Sequence, residues 1–407
     1  MNVQADVGER LAALAGFGAG EDGLDRSLFT PAEHAARATF AAWCGAAGLA
    51  LSQDIAGNLF ARRPGRRAEA RPILVGSHLD TVRNGGAYDG AYGVVAALCA
   101  LERLAADGAA LEHPVEAVAW AGEEGSRFPL GCLGSAAYAG ASPFEEIAAL
   151  TDAAGVTFIG ARDGTAGLLP NIAMRNGFPV PAAYLELHIE QGPIMERAGA
   201  RLGIVTAIAG QRRFTVTVRG ERGHAGTVPM GARHDALCAA AELVLRVEAA
   251  ARDLGDCVGT VGALDVAPNQ TNVIAGTVTF RVDTRSVDDE RCERLELSLR
   301  AASAEIETRR GVAVTIEALE RRAAVRMDER LRETLRAAIL PLGEASLDLP
   351  SGAGHDAMCL ATIAPAAMLF VPSIGGRSHV ADESTSAADL ELGVAALTSA
   401  IVAVDRL

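Results

Sequence analysis

The chain is 407 residues long, half of them hydrophobic and 22% charged, with 44 glycines against 16 prolines. That length predicts two or three domains at about 150 residues each, and the balance does not suit disorder, collagen or a solenoid. A net charge of −14 argues against a nucleic-acid partner, no apolar run reaches the roughly 18 residues of a membrane span, and MNVQADVGERLAALAG at the N-terminus has no basic stretch followed by an apolar one. The expectation is a cytoplasmic protein with neither membrane nor nucleic acid as a partner.

The seven cysteines (44, 99, 132, 238, 257, 292 and 359) are scattered and never spaced CxxC. They read as buried structural thiols, not as a disulfide framework or zinc knuckle. The chain has no lysine; all 37 basic residues are arginines. This removes Schiff-base, pyridoxal-phosphate, P-loop and carbamylated-lysine chemistry, and leaves cationic roles to arginine or metal.

In chain order, residues 72–77 (PILVGS) form a short apolar run that breaks into a Gly-rich loop, and residues 91–106 carry a helical apolar pattern. Further apolar runs follow at residues 115–121, 184–187 and 366–371. Near-continuous apolar strands alternating with helices predict a parallel or mixed α/β sheet covered on both faces. The pattern changes at about residue 211, where Phe214, Val216 and Val218 alternate with Thr215, Thr217 and Arg219, the period of a half-solvated strand. A helix near 235–253, strands near 257–266 and 273–284, a helix near 288–308 and a strand at 312–318 complete a β-α-β-β-α-β order, that of a ferredoxin-like unit. The reading is therefore a discontinuous catalytic domain, residues 1–210 with 325–407, and an inserted domain at 211–324.

Ligands in open α/β sheets sit beyond the carboxyl ends of the strands. There the sequence places His78, Asp80 and Asp89 (GSHLDTVRNGGAYDGAYG), then Glu123 and Glu124, then His188 and Glu190 (LELHIEQGP), and finally His379 (GGRSHVADES). Each alone has a plain structural explanation, as a bonded histidine or an acidic turn. Together they form a mixed N/O donor set that suits Zn²⁺, Mn²⁺, Co²⁺ or Ni²⁺. The glycines of residues 85–93 serve a tight turn around Asp89 and not a phosphate cradle. His355-Asp356 has no GxSxG serine to serve. His34, His113 and His234 read as surface or structural groups, and Trp43 and Trp120 as core.

The stretches GSHLDTVRNGGAYDG, EEGSRF, LELHIEQGP, GERGHAGTVPM, NQTNVIAGTVTFRVDTR, SGAGHDA and GGRSH run from residue 76 to 379. In them the sequence resembles the amidohydrolase branch of the dinuclear zinc-peptidase superfamily: N-carbamoyl-L-amino acid hydrolases, β-ureidopropionases and allantoate amidohydrolases. The resemblance implies a zinc-peptidase-like α/β catalytic domain with an inserted dimerisation (lid) domain. It implies two divalent metal ions, one held by His78 and His188, the other by Glu124 and His379, with Asp89 bridging. Asp80 matches a carboxylate that orients His78 through its other ring nitrogen, and Glu123 matches the general base. His188 stands where peptidase branches usually carry a carboxylate. Asn272 and Arg285 match residues that hold the substrate carboxylate. Gln211 and His224 match further substrate contacts, with His224 stabilising the oxyanion and reaching the partner's site in a homodimer. Gly354 matches a backbone contact to substrate, with Gly352 the neighbouring alternative. Arg377 departs from the smaller residue expected beside His379.

The favoured expectation is a metal-dependent hydrolase that cleaves the carbamoyl C–N bond of an N-carbamoyl-L-amino acid to amino acid, ammonia and carbon dioxide. The same residues suit allantoate, toward which EEGSRFP and LDLPSGAGHDAM lean. A dinuclear aminoacylase or dipeptidase is the third reading, and a non-catalytic metal-binding protein the last.

Overall fold

The structure, a computed structural model, describes residues 6–407; the first five residues of the N-terminal segment read above lie outside them. The chain divides into two units, Met1–Thr206 with Met327–Leu407, and Ala207–Arg326.

In the larger unit, the strands Ile73–His78, Val115–Trp120, Ala183–Ile189 and Ala366–Val371 are buried at every position. Strands so apolar need cover on both faces, and they form the centre of the sheet. Ala366–Val371 pairs in parallel with Ala183–Ile189, which pairs with Ile73–His78, which pairs with Val115–Trp120. The sheet is mixed because antiparallel strands flank this centre. Leu59–Arg63 and Ala50–Gln53 lie beyond Val115–Trp120, and Leu202–Ile208 runs antiparallel to Ala366–Val371. The helix Ala91–Ala106 is buried along almost its whole length, its many alanines letting it lie close on the sheet.

Two expectations need correction. The helix Ala387–Val404 has 18 residues and is long and apolar enough to cross a membrane, although Asp389 and Glu391 stand in its first turns. Its Leu390, Val394, Leu397 and Ile401 are buried in the main core, and that burial accounts for its apolar composition. No cysteine is in a disulfide, but Cys238 is exposed and Cys257 and Cys359 are partly so; only the other four are buried.

The smaller unit is a four-stranded antiparallel sheet in the order Cys257–Ala267, Thr277–Ser286, Gly210–Arg219, Ala313–Arg322. Phe214, Val216, Val218, Val278, Phe280 and Val282 point to one face, where they pack with Leu243 and Val247 of helix Ala236–Leu254 and Leu299 and Ile306 of helix Asp289–Arg310. The alternating strand pattern follows from this one-sided cover. A short ribbon, Gly223–His224 with Val273–Ile274, stands apart from the sheet.

Candidate active site

The parallel strands of the larger unit deliver their carboxyl ends to one edge. His78 terminates its strand in register with Trp120, and His188 lies in register with Phe370. The loop after His78 returns to the same place because of Gly90, at φ +63°, where a Cβ would stand 2.3 Å from the His78 ring. Only glycine lets Asp89 lie against that imidazole.

Asp89 is the hub. Its Oδ1 lies 3.6 Å from His78 Nε2 and 3.2 Å from His188 Nε2, and its Oδ2 lies 3.2 Å from His379 Nε2. His379 Nε2 stands 3.6 Å from Glu124 Oε2. The result is two donor groups, His78/Asp89/His188 and Asp89/Glu124/His379, with Asp89 common to both. The other ring nitrogens are engaged: His78 Nδ1 lies 3.0 Å from the main-chain carbonyl of Asp80, and His188 Nδ1 lies 2.9 Å from that of Ile189. A carbonyl only accepts, so each Nδ1 carries a proton and Nε2 is turned inward for ligation.

The electrostatics favour a cation here. Burial and the neighbouring Asp89 and Glu123 carboxylates push Glu124 well above the usual carboxylate range. Burial also raises Glu123, with His78 opposing. Burial works against charge on Asp89 too, but hydrogen bonds with His188 and His379 hold it well below its ordinary value. Burial opposes the protonated His188 ring, yet Asp89 pulls it up to about 9. Gathered carboxylates and imidazoles of this kind fit divalent metal ions that take mixed nitrogen and oxygen ligands.

Glu123 stands beside this cluster, its Oε2 3.8 Å from His78 Nε2. Its neighbour Glu124 turns instead toward His379, so the two adjacent carboxylates face different partners. Asp80 stands beside His78 and also holds the turn that carries the two glutamates. Its oxygens accept the main-chain N–H groups of Glu123 and Glu124, each at 3.1 Å, and its Oδ1 is 3.7 Å from His78 Nδ1. These two amides lie in the loop beyond the Val115–Trp120 strand, outside its ladder, and need an acceptor. Glu190 likewise closes a helix: its oxygens accept the N–H groups of Ile194 and Met195. Arg377 pairs with Asp382.

Several residues around the cluster escaped the sequence reading. Gln191 Nε2 donates to Asp89 Oδ2 at 2.7 Å, and Ser378 Oγ donates to the same oxygen at 3.1 Å. Glu383 accepts the N–H groups of Tyr88 and Asp89. Gln191 lies in the LELHIEQGP stretch, and Ser378 and Glu383 lie in GGRSHVADES beside His379, so position next to a candidate ligand is the signal that could find all three. His355 is buried edge-on against the His188 ring, centroids 4.6 Å apart, with its Nε2 2.8 Å from Ser351 Oγ; burial and then His188 push its pKa well down, so it is a neutral packing partner. Gly354 sits beside Glu123, and a Cβ there would stand 4.0 Å from Glu123 Oε1.

The remaining candidates lie in the smaller unit and form two groups. Gln211 and Arg285 are cross-strand neighbours. Gln211 Nε2 donates to Asp283 Oδ2 at 2.6 Å, and Arg285 reaches both Asp283 oxygens, at 3.0 and 3.2 Å. His224 lies in the ribbon, opposite Val273, and Asn272 precedes its second strand, where Ala225 N–H donates to the Asn272 carbonyl. Gly226 N–H donates to His224 Nδ1 at 3.0 Å. A main-chain N–H can only donate, so the proton of this exposed ring is on Nε2, which is free to donate outward.

A family model described as peptidase family M20/M25/M40 matches residues 74–403. An N-carbamoyl-L-amino-acid amidohydrolase of Paenarthrobacter aurescens is 38% identical over 404 residues, covering 98% of each chain. An allantoate amidohydrolase of Bacillus subtilis (strain 168) is also 38% identical, over 98% of this chain and 97% of its own. The crystal structure of an amidase of the hydantoinase/carbamoylase family from Burkholderia multivorans matches with a TM-score of 0.91 at 36% identity, over 99% of each chain. The chain belongs to peptidase family M20/M25/M40, among its hydantoinase/carbamoylase-type amidases.

Proposed function

We propose that the protein is an N-carbamoyl-L-amino acid amidohydrolase that uses two divalent metal ions. The observation that carries this reading is the pair of donor groups sharing Asp89, with Glu123 beside them and free of Glu124's partners. His78 and His188 would hold one ion, Glu124 and His379 the other, and Asp89 both. Bound ions of this type polarise a carbonyl and acidify water.

The protein's own groups supply the rest. Glu123 takes the proton of the attacking water and delivers it to the leaving nitrogen; burial already favours its protonated form, which makes it a competent acid in the second half of that task. Asp80 fixes the turn that carries it. His224 offers an Nε2 proton to the developing oxyanion. Arg285, oriented by Asp283, presents its planar donors to the substrate carboxylate, with Gln211, Asn272 and the Gly354 main chain as further contacts. The products are the amino acid, ammonia and carbon dioxide.

We further propose a homodimer in which His224 serves the partner's site. In support, the outer strand Cys257–Ala267 leaves Val258 and Leu264 exposed, and the adjoining helix leaves Leu237 and Leu245 exposed. A cytoplasmic location accords with seven cysteines, none of them in a disulfide.

Allantoate is the second reading, favoured by the equal 38% identity of the Bacillus subtilis relative. Both compounds present a carboxylate beside a ureido group. Side-by-side turnover of allantoate and a panel of N-carbamoyl-L-amino acids tests the choice. The proposal expects the higher kcat/KM on a carbamoyl amino acid, and preference for allantoate would replace it with the second reading.

A further inference from the structure

Cys132 touches the Glu123 carboxylate. Its Sγ donates to Glu123 Oε1 at 3.1 Å, and its main-chain N–H donates to the Glu123 carbonyl at 2.7 Å. It holds this position at φ +54°, a left-handed conformation unfavourable for a non-glycine residue. The segments that carry Cys132 and Cys359 are tied together three residues from each thiol, where Ser135 Oγ donates to Asp356 Oδ1 at 2.5 Å. Cys132 immediately precedes the helix Leu133–Ala139, Cys359 lies in the helix Ala357–Leu360, and these two helices pack together. Cys132 is 1% exposed, whereas solvent reaches Cys359.

We propose that Cys132 and Cys359 form an oxidisable thiol pair, a modification site through which a hydroperoxide silences the Glu123 carboxylate. The accessible Cys359 thiol attacks the peroxide O–O bond, giving a sulfenic acid and releasing the alcohol or water. The Cys132 sulfur then attacks that sulfur. The S–O bond breaks, the Cys132 proton leaves with the hydroxide as water, and a disulfide forms; the two thiols have lost two electrons and the peroxide has gained them. The Cys132 sulfur now has no proton to donate, so Glu123 Oε1 loses its partner, and the segment bonded to the Glu123 main chain is drawn toward Cys359. The inference rests on Glu123 being the general base of the proposed reaction.

A second thiol pair, Cys257 with Cys292, lies in the smaller unit and serves as the comparison. The test treats reduced, metal-loaded enzyme with hydrogen peroxide, maps linked peptides by mass spectrometry, and measures ammonia release from ureido acids before and after dithiothreitol. The expected result is a Cys132–Cys359 linkage with activity lost by roughly 10²-fold, the scale of a general base, and regained on reduction. Cys359→Ser is expected to keep basal activity and resist peroxide, while Cys257→Ser remains sensitive. Cys132→Ser, which keeps a donor for Glu123, is expected to retain activity and resist peroxide, whereas Cys132→Ala loses kcat with KM held. A reduced enzyme that hydrolyses no ureido acid overturns the reading of Glu123 and the switch with it. An active enzyme that forms no such linkage, stays active when linked, or is inhibited equally as Cys359→Ser overturns the switch alone.

Discussion

The Asp80 carboxylate lies 3.1 Å from the main-chain nitrogen of Glu123, and its other oxygen makes the same contact one residue on. One buried side chain thus aims both Glu124, the proposed ligand, and Glu123, the proposed base. Replacing Asp80 with Ala strands two amides, at about 1–3 kcal/mol for each one left without an acceptor. The expected outcome is a lowered urea midpoint together with a loss of kcat. Unchanged stability and turnover would show that the turn holds itself.

Asp89 meets His78, His188 and His379, so its loss should cost both metal ions, while loss of His379 should cost one. Wild-type protein is expected to hold about two equivalents of metal after dialysis, Asp89→Ala close to none and His379→Ala about one. Elemental analysis of the three proteins reads this directly. Equal metal content in the two variants would contradict the sharing of Asp89.

Gly90 offers a purely steric test. At φ +63°, with the His78 ring 2.3 Å from where a Cβ would be, Gly90→Ala is expected to cost about 1–3 kcal/mol for the backbone alone and to displace His78. Thermal unfolding and metal content should both fall.

The pH dependence of metal binding follows from His188, whose pKa is raised from 6.5 to about 9. A ligating imidazole must be neutral. Below about pH 9 the metal-free ring holds a proton that the metal has to displace, so affinity climbs with rising pH, by about tenfold per unit for one proton, and levels off above about 9. Calorimetric titrations with Mn²⁺ in buffers of different ionisation enthalpy should show proton release on binding. Affinity independent of pH would remove His188 from the ligand set.

Much of this arrangement is legible in the sequence, and the particular residues show why. Residues 73–76 (ILVG) and Ala366–Val371 are runs without polar interruption, so their place at the centre of a covered sheet follows from the apolar pattern, and His78 and His379 come after them. The flanking strand Leu59–Arg63 is short and ends in two arginines, which hides it. What spacing does not encode is where a side chain ends up. Asp80 two residues after His78 gives no sign that its oxygens serve Glu123 and Glu124. Glu383 reaches the Asp89 amide across 294 residues, a contact only the fold creates. The Cys132–Glu123 contact is hidden likewise, because a turn of left-handed backbone brings the thiol back onto the carboxylate.

The most direct test of the central claim is ammonia release from N-carbamoyl-L-amino acids by metal-free protein supplied with Zn²⁺, Mn²⁺ or Co²⁺, run beside Glu123→Gln. The account predicts metal-dependent ammonia release in the wild type and a loss of roughly 10²–10⁴-fold in kcat in the variant, whose metal content stays the same. Ammonia release that persists undiminished in Glu123→Gln, or cleavage of an N-acetyl amino acid with no ammonia from any ureido acid, would contradict it.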